Sequence, residues 1–327
     1  MRTMVTTLSF FWLTASSILA QEAPKDDPLI FAKRLNQWTQ LLTDESLGVR
    51  YRAARFLGRI GPQAHAAVPA LIQTLDDPSK SVRHYAARAL GDIGRQAKTA
   101  VPALTVALTD KDLRVRSSAA YALGQIGPEA KNALPKLKEQ RLTTWSAYAL
   151  VQIDLDDEIG IPFLIEKLNN NLQKPKNVGN DSRSVMIALG RIGPRAKAAM
   201  PALKEMLKSK YFSYRTRAAY AVARIDLDDK TGFETLLTML DTTKFESCVA
   251  ARMLGSMGPE AKAAVPFIIG VIHAGDKRKD SHYYPQALGN IGVDAKTALP
   301  ILRKLATHSN QKVREVAALA IYKIEPP

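Results

Sequence analysis

The chain has 327 residues, a length typical of about two domains, and its 46% hydrophobic and 24% charged residues are typical of a soluble globular protein. The single cysteine, Cys248, excludes an intramolecular disulfide framework and a multi-cysteine zinc site. A net charge of +15 at pH 7 favours acidic partners, nucleic acid or anionic surfaces and says nothing about the fold.

The N-terminus predicts a secretory leader. Arg2 precedes the apolar stretch LSFFWLTASSILA, and the sequence changes abruptly to QEAPKDDP after Ala20. This order is typical of a signal peptide, here residues 1–20, and we expect cleavage after Ala20. The mature protein would then be exported to the periplasm or the cell exterior, with a mobile lead-in at 21–28 and no transmembrane segment. The alternative is a leader that is retained as an anchor.

One motif recurs through the rest of the chain. Residues 82–108 and 115–140 agree at most small and apolar positions. The position after the central Leu, or its equivalent, recurs at intervals of roughly 33 residues, which is the signature of a repeat architecture. Its nine occupants are Gly58, Gly91, Gly124, Val151, Gly190, Ala223, Gly255, Gly289 and Tyr322.

Each repeat unit is predicted to be a pair of α-helices. In the third unit, Ala119, Ala122, Leu123 and Ile126 have the spacing of one face of an amphipathic helix. The Gly-Pro that follows is expected to end this helix, and a proline is then placed near the start of the next one. A single pair cannot cover its apolar face, so the units must stack. We predict an all-α solenoid of about nine helix pairs, forming one domain over 29–327.

These units resemble the short HEAT repeats named after phycobilisome lyases. The resemblance rests on the Val-Arg pair, the Ala-Ala-x-Ala-Leu-Gly-x-Ile-Gly run and the Ala-Val-Pro-x-Leu start, and it covers about residues 29–325. It implies an ARM/HEAT-like superhelix whose second helices line a concave side that binds other macromolecules. The resemblance also leaves open the alternative that the protein is a lyase-like or redox enzyme, and it assigns no residues to that activity.

Several places depart from the repeat. The fourth unit is short, and the fifth has an insertion at 169–182. The eighth has Pro285 where other units have a small residue, so its second helix is expected to start late or to kink. The sequence IDLDD, at 153–157 and 225–229, is interpreted as a capped turn between helices rather than a calcium site.

Three positions on each second helix point away from the Ala/Leu/Ile stripe. They hold many Tyr, Trp and Arg residues, the types that dominate binding hot spots. We therefore predict a partner-binding concave face for a protein or peptide, and the alternative is that these side chains lie flat over neighbouring helices. The predicted residues are Arg52, Arg55, Arg59, Tyr85, Arg88, Tyr121, Trp145, Tyr148, Arg191, Arg217, Tyr220 and Arg224.

Two further columns of basic residues run through the repeats. The first follows acidic residues and is interpreted as a structural Asp–Arg ladder rather than an anion-binding row. It contains Arg50, Arg83, Arg116, Arg215 and Arg314. The second lies in the turns and predicts either an anion-contacting edge or a solvated edge. It contains Lys98, Lys131, Lys197, Lys262 and Lys296.

No sequence pattern predicts catalysis. The five histidines are scattered among the units, and neither HExxH nor GxSxG occurs. Cys248 has no adjacent base and is interpreted as a packing residue. We predict no catalytic residue, metal or cofactor, and a non-catalytic exported scaffold for a protein or peptide. Two alternatives stay open: a binder of an anionic polymer or surface (nucleic acid, polysaccharide or lipid head groups), and a lyase-like or redox enzyme. Export would separate the protein from intracellular nucleic acid.

Overall fold

The structure is a computed structural model that describes residues 35–173, 180–240, 245–274 and 282–325. Within these ranges the chain forms α-helices and 3-10 segments and contains no strand. The predicted leader and lead-in, residues 1–28, lie outside the described residues, as does part of the insertion. In the described part, no helix has the length and apolar character needed to cross a membrane.

The helices follow one another in pairs, and we call the two members of each unit the first and the second helix. Residues 35–40 are helical and belong to the first unit. The second helices are α1 (Leu47–Ile60), α3 (Lys80–Ile93), α5 (Leu113–Ile126), α7 (Thr144–Ile153), α9 (Asn180–Ile192), α11 (Phe212–Ile225), α13 (Phe245–Met257), α15 (Tyr283–Ile291) and α17 (Gln311–Ile324). The first helices are α2 (Val68–Thr74), α4 (Val101–Ala107), α6 (Leu134–Glu139), α8 (Gly160–Gln173), α10 (Met200–Leu207), α12 (Lys230–Leu240), α14 (Val265–His273) and α16 (Leu299–Leu305). The predicted all-α solenoid of helix pairs is confirmed.

The turn after α5 shows why the chain reverses where the sequence predicts. Gly127 has a φ of 78°, in the left-handed region that glycine adopts without steric cost, and its N–H bonds to the Leu123 carbonyl. Gly127–Ala133 then form a 3-10 segment. Pro135 lies in the first turn of α6, where a backbone N–H has no helical partner. The Gly-Pro pair therefore ends one helix and allows the next to begin.

The core of the third unit consists of the predicted stripe. Ala119, Ala122 and Leu123 are fully buried, and Ile126 is nearly so. Burying a leucine side chain contributes roughly 2 kcal/mol, and the adjacent alanines allow neighbouring second helices to approach closely. Contacts group the chain into two compact units, one within residues 29–242 and one within 243–327. The single domain over 29–327 stays a prediction.

The irregular units follow their local sequences. In the short fourth unit, α7 begins with a capping box in which Thr143 Oγ1 accepts the Ser146 N–H at 3.2 Å and Ser146 Oγ accepts the Thr143 N–H at 2.7 Å. The late start predicted from Pro285 is confirmed, because α15 begins at Tyr283 and has nine residues. In the first IDLDD turn, Asp157 accepts the Gly160 N–H at 2.7 Å, as expected for a capped turn.

The arginine column at the starts of the second helices is structural. Arg83 donates from Nε and Nη2 to the Asp110 carboxylate at 2.7 and 3.0 Å, and from Nη1 to the Asp77 carbonyl at 2.9 Å. Arg50 pairs with Asp77 in the same way, at 2.6 Å. The remaining members donate to backbone carbonyls just before their own helices: Arg116, Arg215 and Arg314. The interpretation as a structural column is confirmed, and Arg50 and Arg83 form the Asp–Arg pairs that join successive repeat units.

Candidate functional site

Burial divides the predicted binding residues into three groups. The exposed residues are Arg52, Arg55 and Arg88. The half-buried residues are Arg59, Tyr85, Trp145, Arg191 and Arg224. The buried residues are Tyr121, Tyr148, Arg217 and Tyr220. The expectation that the whole set faces solvent is wrong for this last group, while a role in binding stays a prediction for the set as a whole.

The tyrosines are buried because a glycine on the preceding second helix leaves room for each ring. The pairs are Gly91 with Tyr121, Gly124 with Tyr148, and Gly190 with Tyr220. A Cβ added at Gly124 would lie 2.6 Å from Tyr148 Cε1, closer than two carbon atoms can approach. Arg55 and Arg88 occupy the same helix position but stay exposed, because a guanidinium group keeps its hydration at the surface while its stem lies on the helix.

Arg217, at another of the three positions, is held against its own helix. Its Nη1 donates to the Ser213 carbonyl one turn earlier at 2.6 Å. The side chain therefore lies along its own helix, α11, whereas the alternative interpretation placed these side chains over neighbouring helices.

The buried hydroxyl groups of two tyrosines bond to the preceding second helix. Tyr121 donates to Asp92 Oδ1 at 2.8 Å, and Tyr148 donates to Gln125 Oε1. Asp92 and Gln125 occupy the same repeat position as Arg191. Asp92 is a member of the site that was not predicted, although its place in the same column as Arg59 and Arg191 is visible in the sequence.

Arginine and tyrosine side chains alternate over α1, α3, α5 and α9, and we call this set the arginine–tyrosine row. Its members are Arg55, Tyr85, Arg88, Tyr121 and Arg191. The guanidinium carbons of Arg88 and Arg191 lie 4.8 and 5.1 Å from the centroid of the Tyr121 ring, within the range of cation–π attraction. Arg191 Nη1 also donates to the Tyr121 hydroxyl oxygen at 3.1 Å. Tyr121 thus brings together two arginines that lie far apart in sequence.

Burial controls the ionisation of the phenol groups. It raises the pKa of Tyr148 to about 12 and also raises the pKa of Tyr121, although the nearby charge of Arg191 opposes both shifts. Burial likewise raises the pKa of Tyr85, and Arg55 and Arg88 oppose that shift. The phenols are therefore neutral at physiological pH.

The charge of the row is unbalanced. Its three arginines face one carboxylate, that of Asp92, whose Oδ2 lies 3.6 Å from Arg88 Nε. Asp92 also accepts a hydrogen bond from the Tyr121 hydroxyl, so its carboxylate is divided between the phenol and the Arg88 guanidinium group. The row therefore carries a net positive charge.

Trp145 flanks the row and provides an optical and NMR reporter for it. Its ring packs edge-to-face on Tyr121 and on Tyr148, with centroid separations of 5.2 and 5.7 Å. The side chain is half-buried, so one part of the ring stays accessible to a ligand.

The predicted lysine edge lies in the 3-10 segments, and all five of its lysines are exposed. Lys197 Nζ lies 3.7 Å from the Asp226 carboxylate, which partly balances its charge. The predicted position in the turns is confirmed, and contact with an anion stays a prediction.

Cys248 is buried, as expected for a packing residue. Its Sγ lies 3.6 Å from the Tyr284 hydroxyl, which donates to Ser247 Oγ at 3.1 Å. Within the described ranges, no group of three or more His, Cys, Asp or Glu side chains could hold a metal ion.

Comparison with protein-family models identifies the repeats. Residues 68–152 match the model described as HEAT repeats, and residues 49–77 match the PBS lyase HEAT-like repeat. The predicted resemblance is confirmed in these segments. No curated protein matched the chain.

Solved structures similar to the chain along most of its length include the following two. One is the complex of CpcE and CpcF of phycocyanin lyase from Nostoc sp. PCC7120, with 25% identity, 92% of this chain and 96% of that chain covered, and a TM-score of 0.43. The other is an engineered protein, with 23% identity, coverages of 98% and 96%, and a TM-score of 0.37.

Proposed function

We propose that this HEAT-repeat protein is a non-catalytic exported scaffold that binds a protein or peptide on the face formed by its second helices. The observation that carries the proposal is the cluster of exposed arginines on α1 and α3, namely Arg52, Arg55 and Arg88, beside half-buried Tyr85. Core packing does not require these side chains, since they lie outside the buried stripe.

The residue types favour a protein partner. Arginine and tyrosine combine large contact area with fixed hydrogen-bond donors, and they are enriched at interface hot spots. The partly accessible ring of Trp145 adds a third residue of this kind close to the row. HEAT-type stacks of helices provide an extended surface for such contacts.

Capture from the exported fraction tests this proposal. The full chain would serve as bait, and bound proteins would be identified by mass spectrometry at low and high salt. The double variant Arg52→Glu/Arg55→Glu should lose the partner. The matched control Lys98→Glu/Lys131→Glu reverses the same number of charges on the turn edge and should retain it.

Three results would contradict the proposal. A partner retained by the arginine variant would exclude this face. Loss of binding in the lysine variant, together with steep salt dependence, would favour an anionic polymer or surface, because phosphate-driven affinity falls strongly with salt. A chromophore that co-purifies with the protein would favour the lyase-like alternative.

A further inference from the structure

Arginines of the row have charges that the described residues do not balance. Arg55 is exposed and forms no hydrogen bond or ion pair with any described residue. Arg88 shares Asp92 with the Tyr121 hydroxyl. Arg191 also feels the charge of Asp92, the same carboxylate that Arg88 uses, and its Nη1 donates to the neutral Tyr121 phenol. A half-buried charge is stabilised when an anion pairs with it, so the excess positive charge of the row favours ligand carboxylates.

The packing of the second helices fixes the positions of the arginines around Tyr121. The arginines near Tyr121 come from α3 and α9, and their guanidinium carbons are both about 5 Å from one ring. The Tyr121 ring is fixed by the hydrogen bond from its hydroxyl to Asp92 and by its packing against Gly91. Both guanidinium groups are therefore held beside the same ring before any ligand arrives, which lowers the entropic cost of binding.

We propose that the arginine–tyrosine row binds an acidic segment of the partner protein, with one carboxylate held by Arg88 and Arg191 beside Tyr121 and another held by Arg55. This inference rests on the proposed function and specifies the chemistry of its partner. The planar guanidinium group matches a carboxylate with two parallel hydrogen bonds.

Two observations favour a peptide over other anions. The positive groups extend from α1 to α9, so a chain with several carboxylates fills the row, whereas a free phosphate occupies one place. Proteins bind single-stranded nucleic acid by stacking its bases on exposed aromatic rings, but the Tyr121 ring at the centre of the row is only 2% exposed. The row thus offers guanidinium donors at its surface and keeps this ring below them.

Fluorine NMR of the full chain labelled with 5-fluorotryptophan tests the inference. The probe is hexaglutamate with blocked termini, and hexaglutamine is its neutral control. Trp145, assigned with the Trp145→Phe variant, should shift in a saturable way on addition of hexaglutamate, whereas Trp38, which stacks on Phe56 in the first unit, should not. Hexaglutamine should shift neither signal.

Matched variants localise the effect. Arg55→Gln/Arg88→Gln removes two exposed charges and should weaken hexaglutamate binding at least tenfold. Lys98→Gln/Lys131→Gln removes the same charge from the turn edge and should weaken it less than twofold. Both pairs are exposed in the free protein, so the fold should survive, as circular dichroism would verify.

Several outcomes would overturn the inference: no shift of Trp145 at millimolar hexaglutamate, tighter binding of inorganic phosphate or of hexathymidylate, or equal losses in the two variants. If hexaglutamate fails while capture of the natural partner still depends on Arg52 and Arg55, the acidic-segment assignment is wrong and the scaffold function stands. If the captured partner is also insensitive to these arginines, both are wrong.

Discussion

Replacing Gly124 with alanine tests whether the Tyr148 ring is buried against the preceding helix. The new Cβ would lie 2.6 Å from Tyr148 Cε1, 2.8 Å from Cδ1 and 3.1 Å from the Ala149 Cα. Carbon atoms pack at about 3.5–4 Å, so the ring must move by about 1 Å. Its hydroxyl is bonded to Gln125 and its other neighbours are aromatic, which limits such a movement.

The expected change in the free energy of unfolding combines two effects. Overpacking costs about 1–3 kcal/mol, and alanine in place of glycine within a helix gains about 1 kcal/mol. We expect Gly124→Ala to lower the stability by about 1 kcal/mol in urea unfolding followed by circular dichroism. Gly48→Ala in α1 is the matched control, because its Cβ meets nothing closer than Ser46 Oγ at 3.8 Å, and it should stabilise the protein.

A double-mutant cycle identifies the ring as the cause. In a Tyr148→Leu background the space above Gly124 is open, so adding Gly124→Ala should cost nothing or be stabilising. The coupling energy should be about 1–2 kcal/mol. If Gly124→Ala behaves like Gly48→Ala, or if its effect is unchanged in the Tyr148→Leu background, the proposed packing of the tyrosine on the glycine is refuted.

Three further predictions concern the ladder, acid stability and export. Arg83→Met should lower the stability by about 2 kcal/mol, because it strands a carboxylate, whereas Arg116→Met should cost less in the same urea assay; equal losses would contradict the ladder. Lys204 and further hydrogen bonds lower the pKa of Asp229 to about 2 from its ordinary 3.8, so this contribution is present above pH 4 and is lost as the pH falls through 2. Lys204→Met should make the melting temperature fall less steeply with decreasing pH below 4. An unchanged pH dependence would exclude a stabilising Lys204–Asp229 pair. Intact-mass analysis should show a mature chain that begins at Gln21; retention of 1–20 would favour an anchor.

The fold was predictable because its determinants lie close together in the sequence. The Ala119-to-Ile126 stripe, the Gly127 turn and the arginine column at the starts of the second helices recur with the repeat, so one helical period and one repeat period specify them. The late start at Pro285 likewise follows from a local property of proline.

The exposure of the binding columns was harder to predict because it depends on the next unit. A helical wheel of α7 places Tyr148 away from its own stripe, yet the wheel does not contain Gly124 on the preceding helix. Gly58 occupies the same column one unit before Arg88, which nevertheless stays exposed, so the size and charge of the side chain decide the outcome. Predicting this requires the packing of two successive second helices.

The affinity of the captured partner for two single variants tests the central claim most directly. Arg55→Ala removes an exposed side chain of the second-helix face, and Lys131→Ala removes an exposed side chain of the turn edge. If the face binds the partner, calorimetry should show about a thirtyfold rise in Kd for Arg55→Ala, which corresponds to about 2 kcal/mol, and less than a threefold rise for Lys131→Ala. An unchanged Kd for Arg55→Ala, with a larger loss for Lys131→Ala, would contradict the account.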